Sequence, residues 1–206
     1  MTQWVENPSS GRERGPRGIF RAWTELLVRP HRFFARGVAP GDQGPGITFA
    51  IVVVMIAEGS RLLAFGGEYP VLGNQPVASG IVWLLILGVL VVPAGVHLIA
   101  ALQTVVLAVA DEGEGGVSET VQVICYALAP AVFLGIPNVW LRSLLVLWGG
   151  ALIVVGMAVV HDIRIRRAVP IAAVSAVFVF GYGFSGSVAL AESADAGWAL
   201  LRDLLG

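Results

Sequence analysis

Glu58 and Arg61 are the residues best placed to do chemistry. They are three apart, in a stretch (46–65) that is otherwise apolar, and that spacing puts them on one face of a helix. An ionisable residue inside a membrane is costly. It faces the interior of a bundle, where it forms an ion pair or marks a solute path. Arg142, near the outer end of a later apolar stretch, can extend the pair. A second polar group lies toward the other side: His97, Gln103, Glu119, Gln122, His161 and Asp162. Imidazoles and carboxylates together can hold a divalent metal. Their spacing matches no known site, however, and a histidine at a helix end caps or snorkels. The chain has no phosphate loop, Cys-x-x-Cys, His-Glu-x-x-His or Gly-x-Ser-x-Gly motif. Cys125 falls in an apolar segment and reads as a small core residue. The expectation is therefore no catalysis, no metal and no cofactor.

The elements that must position these residues follow from composition. Of 206 residues, 56% are hydrophobic and 13% charged, against roughly 25% charged in soluble domains. That is too little charge to cover a water-soluble globule. One cysteine and no Gly-X-Y period exclude disulfide scaffolds and collagen. The net charge of -1, with all 13 basic residues arginine, gives no sign of nucleic-acid binding. What remains is a membrane protein.

Residues 1–17 are polar and rich in Arg, Gly and Pro, and read as a flexible cytoplasmic tail with no signal peptide and no lipidation motif. Residues 18–36 form an amphipathic segment. Ile19, Phe20, Trp23, Leu26 and Leu27 recur at helical spacing, and Pro30 ends that helix. Two readings stay open. In one, the segment is interfacial: Trp23, Phe33 and Phe34 enter the headgroup region while Arg21, Arg29, Arg32 and Arg36 meet anionic lipid. In the other, it packs on the protein's own cytoplasmic helix ends.

Apolar stretches at 46–65, 78–110, 118–136, 139–160 and 168–186 predict five spans. The second, at the helical rise, would reach roughly 50 Å against a ~30 Å hydrocarbon core. Pro93 predicts a kink in it, or it projects into the cytoplasm. Residues 187–206 form an external segment with a short amphipathic helix over 193–205. The fold class is all-α: a polytopic transmembrane helical bundle of five spans with an N-terminal amphipathic interfacial helix. Seven arginines precede the first span and three follow the fourth, against Arg142 and Arg202 on the opposite side. This places the N-terminus in the cytoplasm and the C-terminus outside a cell membrane.

Arg29-Pro30-His31-Arg32-Phe33-Phe34 resembles the Pro-x-x-Phe-Phe opening of prokaryotic Yip-domain proteins. Ser118-Glu119-Thr120, followed by Tyr126-Ala127-Leu128-Ala129-Pro130, is similar to that family's third helix. Asp42-Gln43-Gly44-Pro45 is one residue short of the Asp-x-x-Gly-Pro of the eukaryotic branch, and Trp148 and Gly181-Tyr182-Gly183 also fit. The chain over roughly 25–186, with a five-helix transmembrane domain at 46–186, thus resembles the Yip family, five-helix membrane proteins named for interaction with Ypt/Rab GTPases. The resemblance implies Pro30, Phe33, Phe34, Tyr126 and Pro130 as family motif residues, and a membrane protein without known catalytic chemistry.

The leading functional expectation is a non-catalytic scaffold or adaptor. It would contact the bilayer and associate with itself or another membrane protein, using small residues such as Gly149, Gly150 and Gly156 as close-packing faces. The alternative is a small oligomeric transporter or channel using Glu58, Arg61 and His97 along a path.

Overall fold

The computed structural model describes residues 15–65, 69–110 and 115–205. The tail before residue 15 and the acidic loop of Asp111, Glu112 and Glu114 lie outside the described residues. Within them the chain is all-helical: α1 (Pro16–Val28), α2 (Pro30–Gly37), α3 (Gly44–Phe65), α4 (Pro76–Ile86), α5 (Val92–Val109), α6 (Val117–Ala127), α7 (Val139–Val160), α8 (Ile165–Ala176) and α9 (Gly186–Leu205). A proline opens α1, α2 and α4. Its missing N–H costs nothing there, because the first helical amides have no intrahelical acceptor.

Among the described residues four stretches are long and apolar enough to cross a membrane: Gly44–Ala64, Pro76–Val109, Val139–Val160 and Ile165–Gly183. Their outer faces expose residues such as Leu90, Leu98, Val105, Leu144, Leu147 and Val177, the apolar surface that lipid requires. The molecule is a multi-pass helical membrane protein.

The long second stretch contains a π-helical turn at Leu87–Val91, just before Pro93. Pro93 has no N–H for Val89, and its ring crowds that carbonyl. The wider turn absorbs the conflict. A second π turn, Val177–Gly183, ends the stretch that begins at Ile165. Beyond it α9 runs from Gly186, well before the expected start at 193. Gly186 and Ala189 are buried, and Ser193 and Ala189 are bonded to Ser143 of α7.

The stretch expected to be a continuous third span over 118–136 is different. Its α-helix ends at Ala127, and Ala129–Phe133 is a 3₁₀ turn. Pro130 cannot donate to Tyr126, so the chain tightens to i→i+3 bonds, Ala131 to Leu128 at 2.8 Å and Leu134 to Ala131 at 2.9 Å. Every residue from Thr120 to Ala131 is buried, and α3, α5 and α7 surround α6. Gly46 of α3 lies against Gln122 and Cys125, and Gly135 lies against Ser60. The segment therefore runs parallel to α3, and from Thr120 to Ala131 it is encased in protein.

Phe33 and Phe34 are each 2% exposed, so neither ring enters lipid. Phe33 meets the Tyr126 ring edge-on at 4.8 Å, and Phe49 lies 5.4 Å from the other side of Tyr126. Phe34 fills the space over Gly156. A Cβ there would sit 2.5 Å from Val123 and 3.1 Å from Phe34. Gly149 is likewise covered by the Phe180 ring. Both glycines are thus spent on internal packing and offer no face to another chain. Phe34→Ala is expected to destabilise the protein by about 3–5 kcal/mol, read as an earlier loss of helix on denaturant titration in detergent. Phe20→Ala, at an exposed ring, serves as the near-neutral control.

Candidate functional site

The polar residues of the 117/160 end are built into helix contacts. Gln122, fully buried, faces the backbone of Ala39 in the α2–α3 connection. Its Oε1 accepts from the Ala39 amide at 3.1 Å, and its Nε2 donates to the Ala39 carbonyl at 2.7 Å. One side-chain amide thereby replaces a backbone partner in both directions. Tyr126, one turn further along α6, carries the Phe33 and Phe49 contacts. At the 3₁₀ turn the Trp23 indole donates from Nε1 to the Ala129 carbonyl at 2.9 Å. Trp23 also contacts Phe133, with ring centroids 5.7 Å apart. Arg32 reaches Glu25 at 3.4 Å and ties α2 to α1. Tyr126, Gln122 and Ala129 therefore anchor both N-terminal helices. Arg17, Arg21, Arg29 and Arg36 are exposed.

His161, 1% exposed at the end of α7, has Nε2 3.1 Å from the Thr120 hydroxyl of α6. Burial pushes its pKa below the ordinary value, opposed by the nearby Glu119 carboxylate and the Gly115 backbone. Asp162, next along, is exposed and adopts a positive φ of 52°. His97 is apart from these. Its Nδ1 donates to the Pro93 carbonyl at 2.7 Å, and Nε2 meets the Gln43 amide at 2.8 Å. Gln103 bonds the Ile171 carbonyl at 3.1 Å and accepts from Ser175, joining α5 to α8. Among the described residues no three His, Cys, Asp or Glu side chains converge as metal ligands would.

Toward the opposite end, Arg61 donates to Glu58 Oε2 from Nε at 2.9 Å and from Nη2 at 2.7 Å. The two side chains form an ion pair within α3. Arg142 borders the same cavity of about 150 Å³, with Leu134 and Ser185. It makes no ion pair among the described residues. A neighbouring apolar cavity of about 290 Å³ also has Glu58 and Arg61 on its wall, and both π turns line it through Leu87, Val91, Phe178 and Gly183. His97 borders neither cavity. Neither cavity joins His97 to the Glu58–Arg61 pair.

Two structural bonds escaped the sequence. The Trp23–Ala129 bond joins residues 106 apart; the only signal was a Trp on an amphipathic helix and a proline that disrupts carbonyl pairing. The Ser143–Ser193 pair, at 2.7 Å, links two serines that read as ordinary small residues.

An encased α6, helical spans around it and two N-terminal helices clamped to it define a multi-pass membrane bundle. A family model described as the Yip1 domain matches residues 24–187, and the chain belongs to that family. The match takes in α2 with Phe33 and Phe34, all of α6, and the Glu58–Arg61 pair. No curated protein matches the chain, nor does any solved structure.

Two outcomes follow. Removing the Glu58 charge leaves Arg61 without its partner, so Glu58→Gln should destabilise by about 1–3 kcal/mol, with partial rescue in Glu58→Gln/Arg61→Gln. Chemical denaturation of the three proteins in one detergent measures both effects. For His161, the folded-state pKa lies below the ~6.5 of an unperturbed imidazole. The unfolded chain therefore takes up the proton first as pH falls. The stability present above pH ~6.5 should decline as pH drops through the folded pKa. Thermal midpoints between pH 8 and 5 should show this slope, and His161→Gln should flatten it.

Proposed function

We propose that this chain is a non-catalytic scaffold or adaptor of the Yip1-domain family, which holds partner membrane proteins or copies of itself in a cell membrane. One observation carries the reading: buried polar side chains that could do chemistry are engaged in joining elements of the fold. Gln122 clamps Ala39, His161 meets Thr120 and Gln103 bridges to α8, while Glu58 holds Arg61 within α3. Such use of polar groups specifies one arrangement of helices and leaves the external faces to make contacts.

In this reading the bundle makes five passes. The α6 strut and its 3₁₀ turn climb roughly 26 Å and return the chain to the end where α7 starts. The arginine asymmetry supports a cytoplasmic N-terminus and an external C-terminus. The exposed Arg17, Arg21, Arg29 and Arg36 support contact of α1 and α2 with anionic lipid.

Function and topology are tested separately. In proteoliposomes and nanodiscs the scaffold reading expects a defined self-association or a reproducibly captured membrane partner. Saturable solute flux that disappears in Glu58→Gln would overturn it in favour of the transporter. For topology, single cysteines replace Gly11 or Ala194 in a Cys125→Ala background. In intact cells an impermeant maleimide should label the one at 194 only. Labelling at 11 would reverse the orientation.

A further inference from the structure

The end of the bundle that carries Arg61 and Arg142 joins two features that match the two ends of one kind of molecule. The apolar cavity between the π turns borders the small polar cavity, and Glu58, Arg61, Gly183 and Phe184 line both. The apolar cavity opens sideways, since Val91 is 46% exposed and Phe178 48% exposed on its rim. Around the polar cavity a pair of guanidiniums faces one carboxylate, an excess of one positive charge. Arg61 is already bonded to Glu58, whereas Arg142 makes no ion pair among the described residues.

Depth agrees with this pairing. Arg61 is three residues inside one end of the Gly44–Ala64 stretch, and Arg142 three residues inside the start of Val139–Val160. At the helical rise both backbones lie about 4.5 Å inside those ends, close enough for a long arginine side chain to snorkel out to the phosphate level. Ser185, immediately before α9, is on the same wall, so the positive end of that helix dipole adds to the local potential.

We infer that this paired cavity binds one anionic phospholipid, its phosphate on Arg142 and Arg61 and an acyl chain in the groove between the two π turns. Arg142 supplies charge-assisted donors that Glu58 does not occupy, and the groove supplies apolar walls at the depth of the upper acyl segment. The site is distinct from the basic face of α1 and α2, and it does not depend on the scaffold reading.

The test uses the full chain in neutral detergent at high salt, which screens exposed arginines more than this recessed pair. Phosphatidylglycerol and phosphatidylcholine with identical acyl chains are titrated separately, and retained lipid is counted by native mass spectrometry. One phosphatidylglycerol should be retained, and phosphatidylcholine much more weakly. Arg142→Gln should weaken retention about tenfold, the loss of one hydrogen bond to a charged group. Gly95→Leu should weaken it too. Gly95 lines the groove and has nothing within 4 Å of an added Cβ, so leucine can occupy the acyl position without displacing a neighbour. Unchanged thermal midpoints would show that both variants fold. Equal retention of the two lipids, or retention unchanged in either folded variant, overturns the assignment.

Discussion

At the centre of the protein α6 and the turn after it are buried without a break from Thr120 to Ala131, and this segment contains a proline. A buried segment of this kind must find an internal partner for every polar group, because hydrocarbon offers none. Pro130 breaks the α-helical ladder, and the 3₁₀ turn restores only some of it. The Trp23 indole supplies the donor for Ala129, and Gln122 meets the Ala39 amide and carbonyl. The positions of α1 and α2 therefore follow from what α6 needs. The Phe33–Tyr126–Phe49 ring contacts then fill the space between these polar anchors.

This arrangement explains why the N-terminal segment looks interfacial in sequence and yet packs its apolar side on protein in the fold. Its apolar stripe faces α6, the 3₁₀ turn and α7, with Ala22, Leu26, Phe33 and Phe34 buried, while several arginines stay outside. The amphipathic pattern records a boundary between apolar and polar surroundings. It does not say whether the apolar side is lipid or protein.

The all-helical class, the spans at 46–65 and 139–160 and the family were legible because long apolar runs and ordered motifs carry them directly. The Glu58–Arg61 pair was legible too, since i,i+3 spacing on a helix is a local property. The fate of the third stretch was not. A run of apolar residues with one proline reads equally as a kinked span or as a buried strut, and only its neighbours decide. Gln122 and His161 looked like members of one polar cluster. In the fold they serve separate seams, because residues 41 or 83 positions away supply their partners. A disturbance near Pro93 was expected, but the π turn found there depends on backbone pairing that residue types do not encode.

The central claim is that α6 holds the N-terminal helices within the bundle. Hydrogen–deuterium exchange in nanodiscs compares the parent with a Trp23→Phe/Gln122→Ala double variant, which removes the two polar anchors and keeps an aromatic ring at position 23. The account predicts slow exchange in α1, α2 and α6 of the parent. In the variant α1 and α2 should exchange much faster while α7 and α8 keep their protection. Fast exchange of α1 and α2 in the parent, or equal protection in both proteins, would contradict it.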